Sequence, residues 1–193
     1  LKDRHTAAIE HLDAGLFLSS LRRVKSEKEI QLMKKGCEIS AQAHKAAMQF
    51  VAPNMNEQTL EAFYLYKFAE QGSRFPAYTP IVAGGEHACI LHYVENDQTL
   101  NDGDLVLVDA GGEYECYASD ITRTYPVNGK FSDEQLAVYK VVLEAHKQAI
   151  EAVKTGNHIM QPQEISERVI TEGLVDLGIL DGKTEDLLEE GAH

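Results

Sequence analysis

Two aspartates eleven residues apart, Asp109 and Asp120, stand at the edges of apolar, β-branched runs, Leu105-Val106-Leu107-Val108-Asp109 and Asp120-Ile121-Thr122-Arg123-Thr124. An ionised carboxylate taken out of water protonates, pairs or coordinates a cation. If the chain turns back near Tyr114-Glu115, antiparallel pairing sets Asp109 opposite Asp120 on one face. Like charges so placed repel, and a shared metal ion is the simplest resolution. Two plainer arrangements stay open on spacing alone: an aspartate acting as a turn residue at a strand end, and an ion pair from Asp120 to Arg123 or Lys130.

The elements that must position this pair read as α+β. A capping box, Ser26-x-x-Glu29, opens a helix carrying Ile30, Met33, Cys37, Ala41, His44 and Met48 at helical spacing and ending before Pro53. His44, on or beside that face, reads as a packed histidine rather than a ligand. A second helix is expected from about Asn56 to Glu70, with Gly72 as its stop. Strands are expected near residues 79–83, 88–94, 104–110 and 117–125, with turn chemistry at Asn101-Asp102-Gly103-Asp104. Ser132-x-x-Gln135 opens a third helix through Val138, Val142 and Ala149, closed by Gly156. A fourth begins near Pro162 and stops at Gly178; a short fifth carries Leu187 and Leu188 beside a solvated acidic face of Glu185, Asp186, Glu189 and Glu190.

Wording adds to spacing. Val108-Asp109-Ala110-Gly111, with Ser119-Asp120-Ile121-Thr122-Arg123-Thr124-Tyr125-Pro126-Val127 after it, resembles the metal hairpin of the aminopeptidase P and prolidase family, metallopeptidases with the pita-bread fold. Upstream, Arg74-Phe75-Pro76-Ala77-Tyr78, Ile81-Val82-Ala83-Gly84-Gly85-Glu86 and Cys89-Ile90-Leu91-His92-Tyr93-Val94-Glu95-Asn96 are similar to the stretch preceding that hairpin, and Asn128-Gly129-Lys130-Phe131-Ser132 to the stretch on its downstream side. The resemblance covers the chain from about Leu21 onward. It implies the first part of a pita-bread (creatinase/aminopeptidase) fold, an antiparallel sheet flanked by helices. It matches Asp109 and Asp120 to two of five ligands of a dinuclear site, and His92 to a catalytic histidine outside the metal shell that contacts substrate. The remaining three ligands, a histidine and two glutamates, have no counterpart here, and His193 lacks the continuation that would make it one.

The chain is therefore expected to be a fragment: residues 1–21 a connection from a missing amino-terminal domain, residues 22–193 the first portion of the catalytic domain. The implied cofactors are two divalent metal ions, manganese being best suited to an oxygen-rich set, not held tightly by this chain alone. The implied activity of the whole protein is release of the first residue from peptides with proline second, whose tertiary amide has no N–H. Prolidase, which accepts only dipeptides, and a metal-free pita-bread module that binds peptides are the alternatives. A half fold would leave edges and apolar faces uncovered, so homo-oligomerisation or self-association is expected.

Composition narrows the partners. The chain has 193 residues, a net charge of −13 and 44% hydrophobic content, enough to bury a core. Its acidity argues against a nucleic-acid partner and suits a cytoplasmic protein. No apolar run approaches a membrane span. Three cysteines, Cys37, Cys89 and Cys116, without a Cys-x-x-Cys pair, indicate neither a disulfide framework nor a thiolate zinc site; Cys89 and Cys116 are expected as buried apolar groups.

Overall fold

The computed structural model of the chain describes residues 13–192. The opening of the expected connection over residues 1–21, and His193, lie outside the described residues. The chain divides into two compact units between Val127 and Asn128.

In the first unit, α1 (Ala14–Arg23) is capped by Asp13, whose carboxylate accepts from the Gly15 amide at 2.8 Å, and none of its residues is buried. The Ser26 capping box forms as expected and opens α2 (Glu27–Phe50). The buried face of α2, however, is Gly36, Ile39, Ser40, Ala43, His44 and Ala47, rotated from the expected stripe so that Cys37 and Met48 are exposed. A Cβ on Gly36 would stand in ordinary contact with Tyr114 Cβ, at 3.6 Å, and Ser40 and His44 on the same face bond the Gly112 amide and the Ala110 carbonyl. Asn56 caps α3 (Glu57–Ala69), and Gly72 comes after it at φ +92° as a left-handed stop.

Among the described residues six short strands form two antiparallel sheets, β1 (Phe75–Pro76), β4 (Gly112–Tyr114) and β5 (Tyr117–Ala118) in one, β2 (Ile81–Gly84), β3 (Leu105–Asp109) and β6 (Thr122–Pro126) in the other. The expected strand over 117–125 is thus two strands in different sheets. The alternation of β3 sorts its side chains. Val106 and Val108, with the adjoining Ala110, join Ile39, Ala43, Leu60, Tyr64 and Phe68 in the main core, whereas Leu107 packs on a smaller cluster of Ile81, Ala83 and Tyr93.

The expected strand over 88–94 does not form. Gly85–Cys89 is a 3-10 turn, and His92 and Asn96 have φ of 56° and 49°, a left-handed backbone that no strand accommodates. Polar side chains hold this segment instead. Asn96 Oδ1 accepts from the Val82 amide at 2.9 Å while its Nδ2 donates to the Pro80 carbonyl at 2.9 Å, taking the place of a neighbouring strand beside β2. Glu57, fully buried, accepts from the Gly84 amide at 2.8 Å, the Tyr93 hydroxyl at 2.8 Å and the Gln98 amide at 3.0 Å. Tyr93 also stacks on His87, with ring centroids 5.1 Å apart.

All three cysteines are exposed, Cys116 at the tip of the β4–β5 hairpin and Cys89 at the end of the 3-10 turn. That corrects the expectation of burial for Cys89 and Cys116. Both lie where the chain turns outward rather than in strand interiors.

In the second unit, the Ser132 capping box opens α4 (Asp133–Ala152), succeeded by α5 (Gln161–Asp176) with Pro162 in its first turn and α6 (Thr184–Glu190). A Cβ on Gly173 of α5 would meet Val141 of α4 at 2.4 Å, so glycine permits these two helices to touch. Val138 and Val142 of α4 are exposed, and Ala145 and Ala152 are buried. The acidic face of α6 is solvated as expected, with Glu185 accepting from Arg168 at 2.7 Å.

A buried carboxylate with three donors is costly to remove because each donor loses its acceptor. Glu57→Ala should lower the unfolding free energy by about 2–4 kcal/mol, read as an earlier midpoint in chemical denaturation. An unchanged midpoint would show that the 3-10 turn and its loop do not depend on this group.

Candidate metal centre

Asp109 is the last residue of β3, where the register pairs it with Ile81 on one side and Thr122 on the other. Asp120 therefore does not stand opposite Asp109, as a simple hairpin would have it. Instead the Ala110 amide donates to the Ile121 carbonyl at 3.1 Å, and the chain then leaves the sheet at Gly111-Gly112 to form the β4–β5 hairpin, whose turn is Glu115-Cys116. A Cβ on Gly111 would lie 1.8 Å from the Ser119 carbonyl oxygen, so only glycine allows the two chain segments to cross there. The crossing delivers Asp120 back beside the end of β3.

The two carboxylates meet at Tyr78. Its hydroxyl donates to Asp109 Oδ1 at 2.5 Å and faces Asp120 Oδ1 at 3.2 Å. One phenolic hydrogen serves one strong bond, so two carboxylates lie within reach of a single neutral donor. Burial first, and then the bond to Asp109, push the Tyr78 phenol well above its ordinary range, which keeps it an O–H donor and not a charge. Among the described residues no ion pair reaches either aspartate; Arg123, the expected alternative partner, donates to the Thr122 carbonyl at 2.7 Å.

Asp109, Asp120 and His92 line one pocket of about 350 Å³ together with Tyr78, Thr79, Ile81 and Val94. The three residues singled out from sequence are thus brought together. Tyr78 carries no signal in the sequence beyond its place in a family stretch. Glu57 and Asn96, which hold the segments on either side of His92, carry no local signal of their role: their partners lie 14 to 41 positions away.

The donor set fits part of a metal site. Two carboxylates converge on one point without a cation of the protein's own, and their oxygens suit a hard divalent ion. Among the described residues no group of three or more His, Cys, Asp or Glu could hold a metal.

His44 stands behind the pair. It is buried, its Nε2 lies 3.0 Å from the Ala110 carbonyl and its Nδ1 3.0 Å from the Tyr64 hydroxyl. A carbonyl only accepts, so Nε2 carries the hydrogen and Nδ1 accepts from Tyr64. Burial pushes His44 below its ordinary value, in keeping with that neutral form.

Residues 31–187 match metallopeptidase family M24: the chain belongs to that family. The Xaa-Pro aminopeptidase of Haemophilus influenzae is 52% identical over 184 residues, covering 95% of this chain and 43% of the relative. That of Escherichia coli is 42% identical over 188 residues, covering 97% and 43%. Among solved structures, proline aminopeptidase P II from Yersinia pestis superposes with a TM-score of 0.91 at 49% identity, over 94% of this chain and 42% of that one. Zinc-substituted Escherichia coli aminopeptidase P in complex with product does so with a TM-score of 0.92 at 42% identity, over 94% and 41%. These neighbours bear out the α+β pita-bread architecture. The chain spans about two fifths of the length of the relatives it matches.

Gly111→Ala should cost about 3 kcal/mol or more, because the added carbon meets backbone that cannot rotate away. Differential scanning calorimetry would register this as a lower melting temperature. A wild-type melting temperature would mean that the crossing is looser than its geometry.

Proposed function

We propose that the complete protein carrying this chain is a metal-dependent Xaa-Pro aminopeptidase that releases the first residue from peptides with proline second, and that Asp109 and Asp120 are two of its metal ligands. One observation supports this above others: both carboxylates face a single neutral hydroxyl in a pocket that also contains His92. Relatives at 52% and 42% identity carry that activity in their names. When bound, a pair of hard divalent ions, manganese being suited to an oxygen-rich set, would supply a nucleophilic water near neutral pH and polarise the scissile carbonyl.

The chain's own residues do the rest of what can be assigned here. Asp109, on the strand end, and Asp120, on the returning hairpin, fix where positive charge sits. Tyr78 donates to Asp109 and limits how far its carboxylate rotates. His92, on the pocket wall, offers a ring N–H to negative charge developing on the substrate carbonyl, or carries a proton to the leaving proline nitrogen. Ile81 and Val94 give the wall the apolar surface that suits a proline ring.

Residues 22–193 act in this reading as the first portion of the catalytic domain, with residues 1–21 as a connection. Three exposed free thiols suit a reducing compartment, and a cytoplasmic location is part of the same reading. No helix among the described residues is long and apolar enough to cross a membrane.

The test is hydrolysis of an Xaa-Pro-Yaa tripeptide with added manganese, by the complete protein, its Asp120→Ala and His92→Ala variants, and this chain alone. Activity in the complete protein, lost at least about a hundredfold in Asp120→Ala, lowered in kcat in His92→Ala and absent from the chain alone, is the expected pattern. Full activity in Asp120→Ala overturns the assignment, and activity confined to Xaa-Pro dipeptides means a prolidase. Inactivity throughout moves the protein to the peptide-binding class.

The chain alone should also self-associate, since Leu16, Phe17, Leu21 and Val24 on and just after α1 are between 61% and 80% exposed. Light scattering that finds a stable monomer at high concentration would exclude this.

A further inference from the structure

Two buried side chains one turn apart on α2 hold the backbone beside both aspartates. His44 Nε2 donates to the carbonyl of Ala110, which directly succeeds Asp109, at 3.0 Å. Its ring is oriented from behind by the Tyr64 hydroxyl at 3.0 Å, and Tyr64, its hydrogen so used, accepts from the Tyr125 hydroxyl at 3.3 Å. Ser40 Oγ accepts from the Gly112 amide at 2.9 Å and lies 2.7 Å from the Oγ of Ser119, which directly precedes Asp120. Ser119 donates its single hydrogen to the Gly112 carbonyl at 2.8 Å, so the hydrogen between the two serines comes from Ser40.

Asp109 stands on the last rung of the β3–β6 ladder, opposite Thr122, and the Ala110 amide bonds the Ile121 carbonyl just beyond it; Asp120 lies outside that ladder, on the segment returning from the β4–β5 hairpin. Ser40 and His44 tie both segments to α2 at the point where the ladder ends. Ser40 and His44 are 0% and 3% exposed, and neither is needed by its helix, whose own ladder is complete around them. A helix turn is a rigid ruler of about 5.4 Å, and it sets the spacing of the two anchored points.

We infer that Ser40 and His44 are positioning residues for the metal-holding carboxylates, fixing the separation of Asp109 and Asp120 before any ion binds. This rests on the reading that those aspartates hold metal. Ligands placed in advance bind without a reorganisation cost, and groups that orient a ligand from outside the metal shell typically contribute ten- to hundredfold in affinity.

The test is manganese binding to the metal-stripped complete protein by calorimetry, well below its melting temperature, with tripeptide kinetics alongside. Ser40→Ala and His44→Leu should each weaken manganese binding by about ten- to hundredfold and lower kcat with little change in KM. Ser40→Thr and His44→Gln, which keep the hydroxyl and an N–H donor, should recover most of it. Ile39→Val, a core change on the same helix without a hydrogen bond to the hairpin, should lower the melting temperature and leave manganese affinity unchanged. Should His44→Leu fail to fold, Tyr64→Phe removes only the hydroxyl that orients the ring and should give the same loss in smaller measure.

Folded Ser40→Ala and His44→Leu proteins, or a folded Tyr64→Phe in their place, with wild-type manganese affinity overturn the inference. So does an equal loss of affinity in Ile39→Val. The underlying reading fails separately: Asp120→Ala would then bind manganese as the wild type does.

Discussion

One phenolic hydrogen, on Tyr78, stands between two converging carboxylates, 2.5 Å from Asp109 and 3.2 Å from Asp120. Among the described residues no cation of the protein pairs with either carboxylate, and like charges brought close together repel. Nothing in the pair itself keeps the aspartates together. Their placement falls to the segments that carry them. The strand end is tied to a helix, the returning hairpin is tied to the same helix, and glycine at 111 removes the one carbon that would keep them apart. A hard cation would satisfy both carboxylates more completely than one hydroxyl can.

Much of this is legible in the sequence, for physical reasons that differ by element. Capping boxes at Ser26 and Ser132 are local, four-residue affairs, and both form as read. The aspartate pair is legible because carboxylates beside β-branched runs are rare enough to require an account. The pairing of Asp109 with Asp120 across a ladder is not, because counting residues assumes an unbroken hairpin, and Gly111-Gly112 breaks it. The buried stripe on α2 departs from the periodic one for a related reason. Periodicity finds apolar residues, but the face that meets the hairpin has to be small and hydrogen-bonding, so Ser40 and His44 are buried while Cys37 and Met48 are not.

The segment around His92 shows the opposite limit. Ile90 and Leu91 look like strand, yet the backbone turns left-handed at His92, a conformation costing on the order of 1–3 kcal/mol for a residue with a side chain. The compensation comes from far away in sequence: Glu57 at the start of α3 receives the next residue, Tyr93, and Asn96 stands in for a strand beside β2. A glutamate in a first helical turn is ordinarily solvated and favoured by the helix dipole. Only the arrival of three donors from residues 84, 93 and 98 makes its burial tolerable. Local strain at a pocket wall and an apparently misplaced buried carboxylate are thus two ends of one arrangement, and neither is intelligible alone.

Register ties the core and the pocket to one choice. On β3, Val106, Val108 and Ala110 face the main core, while Leu107 and Asp109 face the side of Ile81 and Tyr93. Because side chains alternate, slipping the strand by one residue would send Asp109 into the core and Val108 into the pocket. The same slip would strip three apolar residues from a packed interior, at about 1.5–3 kcal/mol for each of the larger ones. The position of the carboxylate is therefore held by hydrophobic packing that never touches it. Electrostatics decides what the pocket attracts, but the apolar alternation along β3 decides that Asp109 is there to attract it.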